Sequence, residues 1–548
     1  MNGMTLADEL KAVVRGEVLD DVATLVAYSR DASLFEVMPS VVVRPLDSAD
    51  VQALVRFVAE KKTEYPALSL TARSAGTDMS GGPLTESIVV DCTAHLNRIV
   101  DVRLDAATAQ PGVFYRDFER ATLALGGFLP SYPASRELAA VGGMVSNNAG
   151  GEKSLAYGKT DRYVVGLKVV LSDGHEYALH RMTPEELDRK RREQTFEGRL
   201  YNSVATLIEQ NRELLDRSRP KVSKNSSGYN LWDVWNGKRF DLTKLIVGSQ
   251  GTLGIVTEAS FRLVPRRAGA GMLVVMLRDL APLAEIVHTV LPFHPTSFES
   301  FDDHTFRLAL KFFSSFASRM GFFHFLSLGV RFLPEVWMAV TKGLPKLVLL
   351  IEFEEETTAA ALEKVHALAR EFGRFPATVR EARSDREREK YWLVRRESFT
   401  LLREKITDRQ TAPFIDDCVV RPEVLPQFLP KLYEILDRHQ LLYTIAGHVG
   451  DGNFHIIPLM KLSDAREREK IPRVAAEVFK LVLQYGGSLT GEHNDGLIRS
   501  PYLREEFGQE MYTLFERVKQ IFDPQNIFNP GKKVGATQQY SFAHLKRG

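Results

Sequence analysis

The sequence is poor in the features that mark several common protein classes. It has 548 residues but only two cysteines, Cys92 and Cys418, and no Cys-x-x-Cys pair. Thiolate zinc sites and iron–sulfur clusters built within this chain are therefore excluded. No apolar run reaches the ~18 residues expected of a membrane-spanning helix. The first residues, MNGMTLADELKAVVRGEV, lack the basic start, apolar run and small-residue cleavage site of a secretion signal, so none is expected. Charge of one sign is also missing: Lys+Arg is 71 and Asp+Glu is 70, a formal net charge of +1 that selects no nucleic-acid partner. Neither GxGxxG nor GxxxxGK[ST] occurs, since Lys153 replaces the upstream glycine before Gly158-Lys159-Thr160. That argues against Rossmann and P-loop nucleotide sites.

What is present is an ordinary globular balance, 44% hydrophobic and 26% charged, in a chain long enough for at least two domains. SVVVRPLDSADVQALVRFVAEKK predicts a strand, a turn and an amphipathic helix with Val51, Leu54, Val55 and Val58 on one face. Strands are expected at LSLTAR and SIVVDC, a hairpin at VVGLKVVLSDGHEYAL, and helices over 184–216. KLIVGSQGTLGIVTEASFRLVP (244–265) predicts strand, glycine loop, strand, and Pro265-Arg266-Arg267 marks a boundary. Beyond it, GMLVVMLRD and KLVLLIEFE, each followed by a helical stretch, indicate a separate α+β unit.

Three Gly/Ser/Thr-rich loops fall between the expected strands of the N-terminal half: 73–82, 141–151 and 248–254. Such loops allow close backbone approach and can aim several N–H groups at a phosphate. Any one of them alone reads more simply as turns; three together favour a ligand. Near the C-terminus, Thr444–Ile457 reads as a hairpin turning at Asp451-Gly452, with His448 and His455 on its two strands. Directly opposed, their Cβ atoms would stand ~4.5–5.5 Å apart. Gly491-Glu492-His493, expected after a strand GGSLT, adds a carboxylate and a third imidazole. Two histidines and a carboxylate suit a divalent ion with open coordination positions. Neighbouring residues of an extended segment face opposite ways, which would separate Glu492 from His493.

The order of these segments carries a resemblance. YSRDAS (28–33), VRPLDSADV (43–51), the 73–82 loop, PGV (111–113), the 139–151 loop with YGKT, GSQGTLGIVTEA (248–259), GHVGDGNFH (447–455), TGEHNDG (490–496) and DPQNIFNPGK (523–532) resemble, in sequence order, the FAD-linked oxidases of vanillyl-alcohol oxidase type. The branch is that of the D-lactate, glycolate and D-2-hydroxyglutarate dehydrogenases. The resemblance implies an α+β fold: a two-subdomain FAD-binding domain of vanillyl-alcohol oxidase type with an α+β substrate (cap) domain. On that reading residues 1–266 form the N-terminal part of the FAD domain, 267–495 the cap, and 496–548 a segment returning to the FAD domain.

It further implies an extended FAD. The first loop would bind it through Arg73, Ser74, Ala75, Gly76, Thr77, Asp78, Ser80 and Gly81. Gly142, Gly143, Ser146, Asn147 and Gly150 of the second would add contacts, flanked by Pro133, Tyr157 and Gly158. Gly251, Ile255 and Asn529 complete the set, with Lys532 in the same closing tail. No histidine lies in 73–82, so the flavin is expected to be non-covalent. Gln250 replaces a frequent family glutamate, and Ser74-Ala75 replace common glycines. By the same resemblance His448, His455 and Glu492 are the metal ligands (zinc, manganese or iron), His493 is the general base, and Arg395 holds the substrate carboxylate, with Arg396 the alternative. Asn494 replaces a usual glycine where substrate shape is expected to be read. The implied reaction is oxidation of a small D-2-hydroxy acid to the 2-oxo acid by hydride transfer to flavin N5. A non-redox FAD enzyme resembling alkylglycerone phosphate synthase is the rival.

Residues 304–346 hold eight of the 32 Phe, one Trp, six Lys/Arg and a single acid, Glu335. A basic, aromatic segment of this kind is expected to meet a membrane surface, an electron-accepting partner or the protein's own core. With no cysteine cluster, electrons are expected to leave to a quinone or a separate electron-transfer protein. A cytoplasmic location follows from these readings, with peripheral contact to the inner face of the membrane left open.

Overall fold

The computed structural model describes residues 5–303, 344–393, 395 and 408–548. Most of the Phe-rich insert, 304–343, and Arg396 lie outside the described residues.

Three sheets organise the fold. The first has four strands in the order Glu17–Leu19, Val41–Arg44, Ile88–Asp91, Leu70–Arg73, the last three parallel. The helix Ser48–Lys61 covers it. Asp47 caps that helix by accepting from the amides of Ala49 and Asp50, and Val51, Leu54, Val55 and Val58 are fully buried as the 3.6-residue spacing predicts. The second sheet is antiparallel, ordered Ile99–Val102, Ala106–Ala109, Ile255–Arg262, Val164–Val170, Glu176–His180. The third is an eight-stranded antiparallel sheet. Along it run Ala377–Ala382, Gly269–Leu277, Leu347–Glu355, Ser297–Asp302, Leu442–His448, Asn453–Met460 and Gln410–Thr411, and Cys418–Val419 pairs with Asn453–Met460 as well. One face of this third sheet packs under the helices Leu283–Val290, Thr358–Glu371, Leu425–Arg438 and Ala465–Gln484 in the largest apolar cluster. Its other face carries a smaller cluster, with Met272, Val274, Phe301, Leu350 and Trp392, and the polar groups described below. Among the described residues no helix is long and apolar enough to cross a membrane.

Three local expectations are corrected. The second glycine segment is not a loop: Val141–Asn147 is a short helix ended by Asn148 at φ 52°. Its small residues permit close packing, since a Cβ on Gly142 would stand 2.5 Å from Pro111 Cβ. Thr243–Ile246 is helical rather than a strand. The buried Asp241 starts it by accepting from the Thr243 amide at 3.1 Å and hydroxyl at 2.5 Å, a local signal that outweighs the β-like composition of so short a run. GGSLT forms no strand but a single bridge, Val419 to Ser488.

Candidate functional site

One cavity of about 1090 Å³ runs between the glycine segments and the inner face of the third sheet. Arg73–Asp78, Pro133, Gly142, Gly143, Ser146, Asn147, Gly150 and Gly251 line it. So do Arg395, His448, His455, Glu492 and His493. Six further candidates lie behind the lining. Ser80 donates its amide and hydroxyl to Asp78 Oδ2, and Gly81 turns the chain at φ 82° against Phe35. Tyr157 accepts from the Tyr163 hydroxyl through its carbonyl, and Gly158 ends the helix Ser154–Tyr157 at φ 76°. Ile255 is core. Asn529 straps the loops together, donating Nδ2 to Gly82 O at 2.9 Å and to Gln250 O at 2.7 Å. Asn494 is also turned away from any substrate. It is fully buried at φ 70° and donates to the carbonyls of Asn147 and Gly248. A left-handed position accepts Gly or Asn, so backbone geometry rather than substrate shape explains this residue.

The glycine end of the cavity fits an extended phosphate-bearing ligand. Gly76 adopts φ 67°, and a Cβ there would meet the Arg73 guanidinium at 2.4 Å. Arg73 itself is spent on the chain, donating to the carbonyls of Tyr28 and Arg30. Among the described residues no acceptor meets the amides of Ser74, Ala75, Gly76 and Thr77, which leaves a run of donors on the wall. Asp78 organises the segment, accepting from Ser80, Gly82 and Asn147.

At the other end three imidazoles converge. The 448–455 hairpin closes through a short 3-10 turn, Val449–Asp451, and Gly452 at φ 67°. The register sets His448 opposite Asn453 and His455 opposite Ala446, so the histidines are diagonal neighbours rather than opposed. Both nevertheless lean inward, and their Nε2 atoms stand 3.3 Å apart. Glu492 Oε1 lies 3.1 Å from His448 Nε2 and 3.4 Å from His455 Nε2. Two nitrogens on one tetrahedral ion at ~2.0–2.1 Å would be ~3.3–3.4 Å apart, so this donor set fits a divalent metal. Asp417, His455, Glu492 and His493 also bring donors within 4.8 Å of one another. Asp417, however, is already committed. It accepts from the amides of Glu492 and His493 at 2.9 and 2.7 Å, from the Thr490 hydroxyl and from Asn453 Nδ2. These bonds fold 490–493 into a turn, which is why Glu492 and His493 both face the cavity instead of pointing apart.

Electrostatics support the grouping. Burial disfavours the charged form of Glu492, yet Lys224 and His448 outweigh it and hold the carboxyl well below its usual range. Burial likewise opposes a charged His455, but Asp416 and Glu492 push it up to about 10. Lys224, itself buried, sits 3.0 Å from Asp451 and 3.5 Å from Glu492 Oε2. Gly150 allows Glu492 to come close, because a Cβ would stand 2.8 Å from its Oε2. Sequence reading missed Glu299, Asp416, Asp417 and Lys224. The pair Asp416-Asp417 inside the otherwise apolar PFIDDCVV was the one available signal, since buried carboxylates need partners.

The comparisons agree with this architecture. The family profile "FAD binding domain" matches residues 39–179, and "FAD linked oxidases, C-terminal domain" matches 271–533. The chain is 28% identical over 535 residues to the D-2-hydroxyglutarate dehydrogenase of Escherichia coli; this covers 94% of the chain and 50% of that protein, so the chain spans about half the length of this relative. It is 27% identical over 524 residues to glycolate oxidase subunit GlcD of Bacillus subtilis, covering 94% and 93% of the two chains. The solved structure of an alkyldihydroxyacetonephosphate synthase superposes with a TM-score of 0.65 at 15% identity, covering 96% of this chain and 84% of that one, a likeness of fold. Two profiles in the right order, on a fold whose glycine loops and histidine cluster share one cavity, assign the chain to the FAD-linked oxidases, with an FAD-binding domain followed by the family's C-terminal domain.

Proposed function

We propose that this protein is an FAD-dependent dehydrogenase that oxidises a small D-2-hydroxy acid to the 2-oxo acid. The observation that carries the reading is the shared cavity: unpaired backbone donors at one end, and three inward-facing imidazoles with a carboxylate at the other. The relatives named D-2-hydroxyglutarate dehydrogenase and glycolate oxidase subunit support the same chemistry. Residues 1–266 and 496–548 make up the FAD domain, and 267–495 the cap.

FAD, held non-covalently by the 73–78 and 141–150 segments and Gly251, would supply the hydride acceptor. A divalent ion held by His448, His455 and Glu492 would supply Lewis acidity at the substrate hydroxyl, and zinc, manganese and iron all suit that donor set. His493 takes the hydroxyl proton on Nε2 while its Nδ1 stays 2.8 Å from Asp416. Arg395 receives the substrate carboxylate; its Nε is buried and has no hydrogen-bond partner among the described residues. Trp392 and Ile457 give the same cavity apolar wall. Cys92 and Cys418 are single buried thiols, so the electrons leave to a quinone or a separate protein rather than to a cluster in this chain.

An anaerobic absorbance scan of the metal-replete protein with a panel of D-2-hydroxy acids tests the reading. Bleaching of the oxidised flavin bands by one acid is expected, and His493→Ala should keep the flavin and stop the bleaching. Flavin that stays oxidised with every acid would overturn the proposal in favour of a non-redox FAD enzyme.

A further inference from the structure

Two buried carboxylates in the cavity wall, Glu299 at 1% and Asp416 at 0% exposure, each reach two groups. Glu299 Oε1 is 2.5 Å from His448 Nδ1, and its Oε2 is 3.3 Å from Arg395 Nη2. Asp416 Oδ1 is 3.0 Å from His455 Nδ1, and its Oδ2 is 2.8 Å from His493 Nδ1. The contacts of Glu299 Oε2 with Arg395 and of Asp416 Oδ2 with His493 are charge pairings outside hydrogen-bond geometry; the His448 and His455 contacts are hydrogen bonds. The rings of His455 and His493 stack at 5.0 Å with 21° between their planes, so one carboxylate fixes a pair of parallel imidazoles.

We propose that Glu299 and Asp416 are positioning residues that tie each metal-ligating histidine to one substrate-facing side chain, His448 to Arg395 and His455 to His493. The inference rests on the function proposed above. An ionised carboxylate offers only acceptors and carries its charge on both oxygens, so it can hold an imidazole N–H on one oxygen while the other attracts a second cationic group. Holding Nδ1–H on His448 and His455 leaves each Nε2 lone pair directed at the ion site, the usual outer support of a metal-bound imidazole. The second oxygen then sets where Arg395 or His493 stands relative to that site. An amide cannot do both jobs. Its one oxygen can keep one partner, while its NH₂ confronts the other donor and forces that imidazole into the wrong tautomer or repels the guanidinium. Two separate straps also imply two separable defects, because Arg395 binds substrate and His493 moves its proton.

The test compares Glu299→Gln and Asp416→Asn with the parent protein. Zn²⁺ and Mn²⁺ titrations of the chelator-stripped protein give metal affinity. Flavin content and unfolding midpoint report the fold, and flavin reduction by the acid found in the bleaching panel gives kcat and KM. Both variants should bind metal ~10–100-fold more weakly, the scale for losing an outer partner of a ligand. With metal in excess, Glu299→Gln should mainly raise KM and Asp416→Asn mainly lower kcat. The latter loss could approach ~10⁴-fold, the scale for amide replacement of a carboxylate that orients a catalytic histidine. Should an amide variant lose its flavin or fold, Glu299→Asp and Asp416→Glu take its place; keeping two oxygens, they should show smaller defects split the same way. Metal affinity unchanged in both amide variants, or KM and kcat moving alike in both, would overturn the inference. A parent protein that no acid bleaches would instead strike the functional proposal, and the metal titrations would still decide whether the straps support the ion site.

Discussion

Lys224 offers a stability test that needs no turnover. Its ammonium is 2% exposed and lies between Asp451 Oδ2 at 3.0 Å and Glu492 Oε2 at 3.5 Å, both themselves almost fully buried. Burial works against its charge, but the two carboxylates outweigh burial and hold the lysine firmly protonated. Lys224→Met keeps the length and apolar stem and removes the one cation shared by this pair. Removing one partner of a buried ion pair costs ~3–5 kcal/mol, chiefly because the remaining charge is stranded in a poor solvent. Asp451 loses its cation and Glu492 keeps only His448 and His455, so a loss within that range is expected in chelator. A divalent ion on Glu492 would re-compensate one of them, so the deficit should shrink by at least ~1 kcal/mol when zinc or manganese is present. Denaturant unfolding followed by flavin fluorescence, with chelator and then with metal, measures both values. A variant within ~0.5 kcal/mol of the parent in chelator would refute the reasoning, and a deficit untouched by metal would refute the ligand role of Glu492.

Glu352, 8% exposed on the cavity face of the third sheet, has its carboxyl pushed up to about 7, by burial first and then by Glu354, against the hydrogen bond from Trp392 Nε1 at 3.1 Å. A folded value above the unfolded one means its stabilising contribution is complete below pH ~4.5 and is lost as pH rises through about 7, a swing of ~3 kcal/mol. Glu352→Gln should flatten that part of the stability–pH curve; an unchanged slope between pH 5 and 8 would count against it. Gly452 turns the histidine hairpin at φ 67°, and a Cβ there would stand 1.8 Å from Val420 O. Gly452→Ala is therefore expected to cost at least ~2 kcal/mol in an unfolding titration and to weaken Zn²⁺ binding, because the strand ends must separate. Leu54→Ala, under the first sheet at 0% exposure, should cost ~2–5 kcal/mol by the same assay while leaving metal affinity unchanged.

Much of this protein was legible in its sequence because the determining interactions are local. The buried stripe Val51, Leu54, Val55 and Val58 follows from helical periodicity, and the hairpin Val164–His180 from alternation around an Asp-Gly turn. The glycine segments announced a close-fitting ligand through residue type alone. His448, His455, Glu492 and His493 were readable as a group because short motifs hold them and the segment order resembles a known family. Where runs were short, composition misled: Thr243–Ile246 is helical, following a turn in which Asp241 accepts from the Thr243 amide, and 141–147 is helical where glycines suggested a loop. The long-range geometry was not written locally. The turn that Asp417 imposes on 490–493 and the straps made by Glu299 and Asp416 join residues dozens to more than a hundred positions apart, and the diagonal register of the two histidines depends on the turn geometry between them. A buried carboxylate gains its role from whichever donors the packed sheets deliver to it, because only inside the fold is it cut off from water and made to depend on them. The sequence therefore determined which chemistry was available, and the tertiary structure decided which atoms meet.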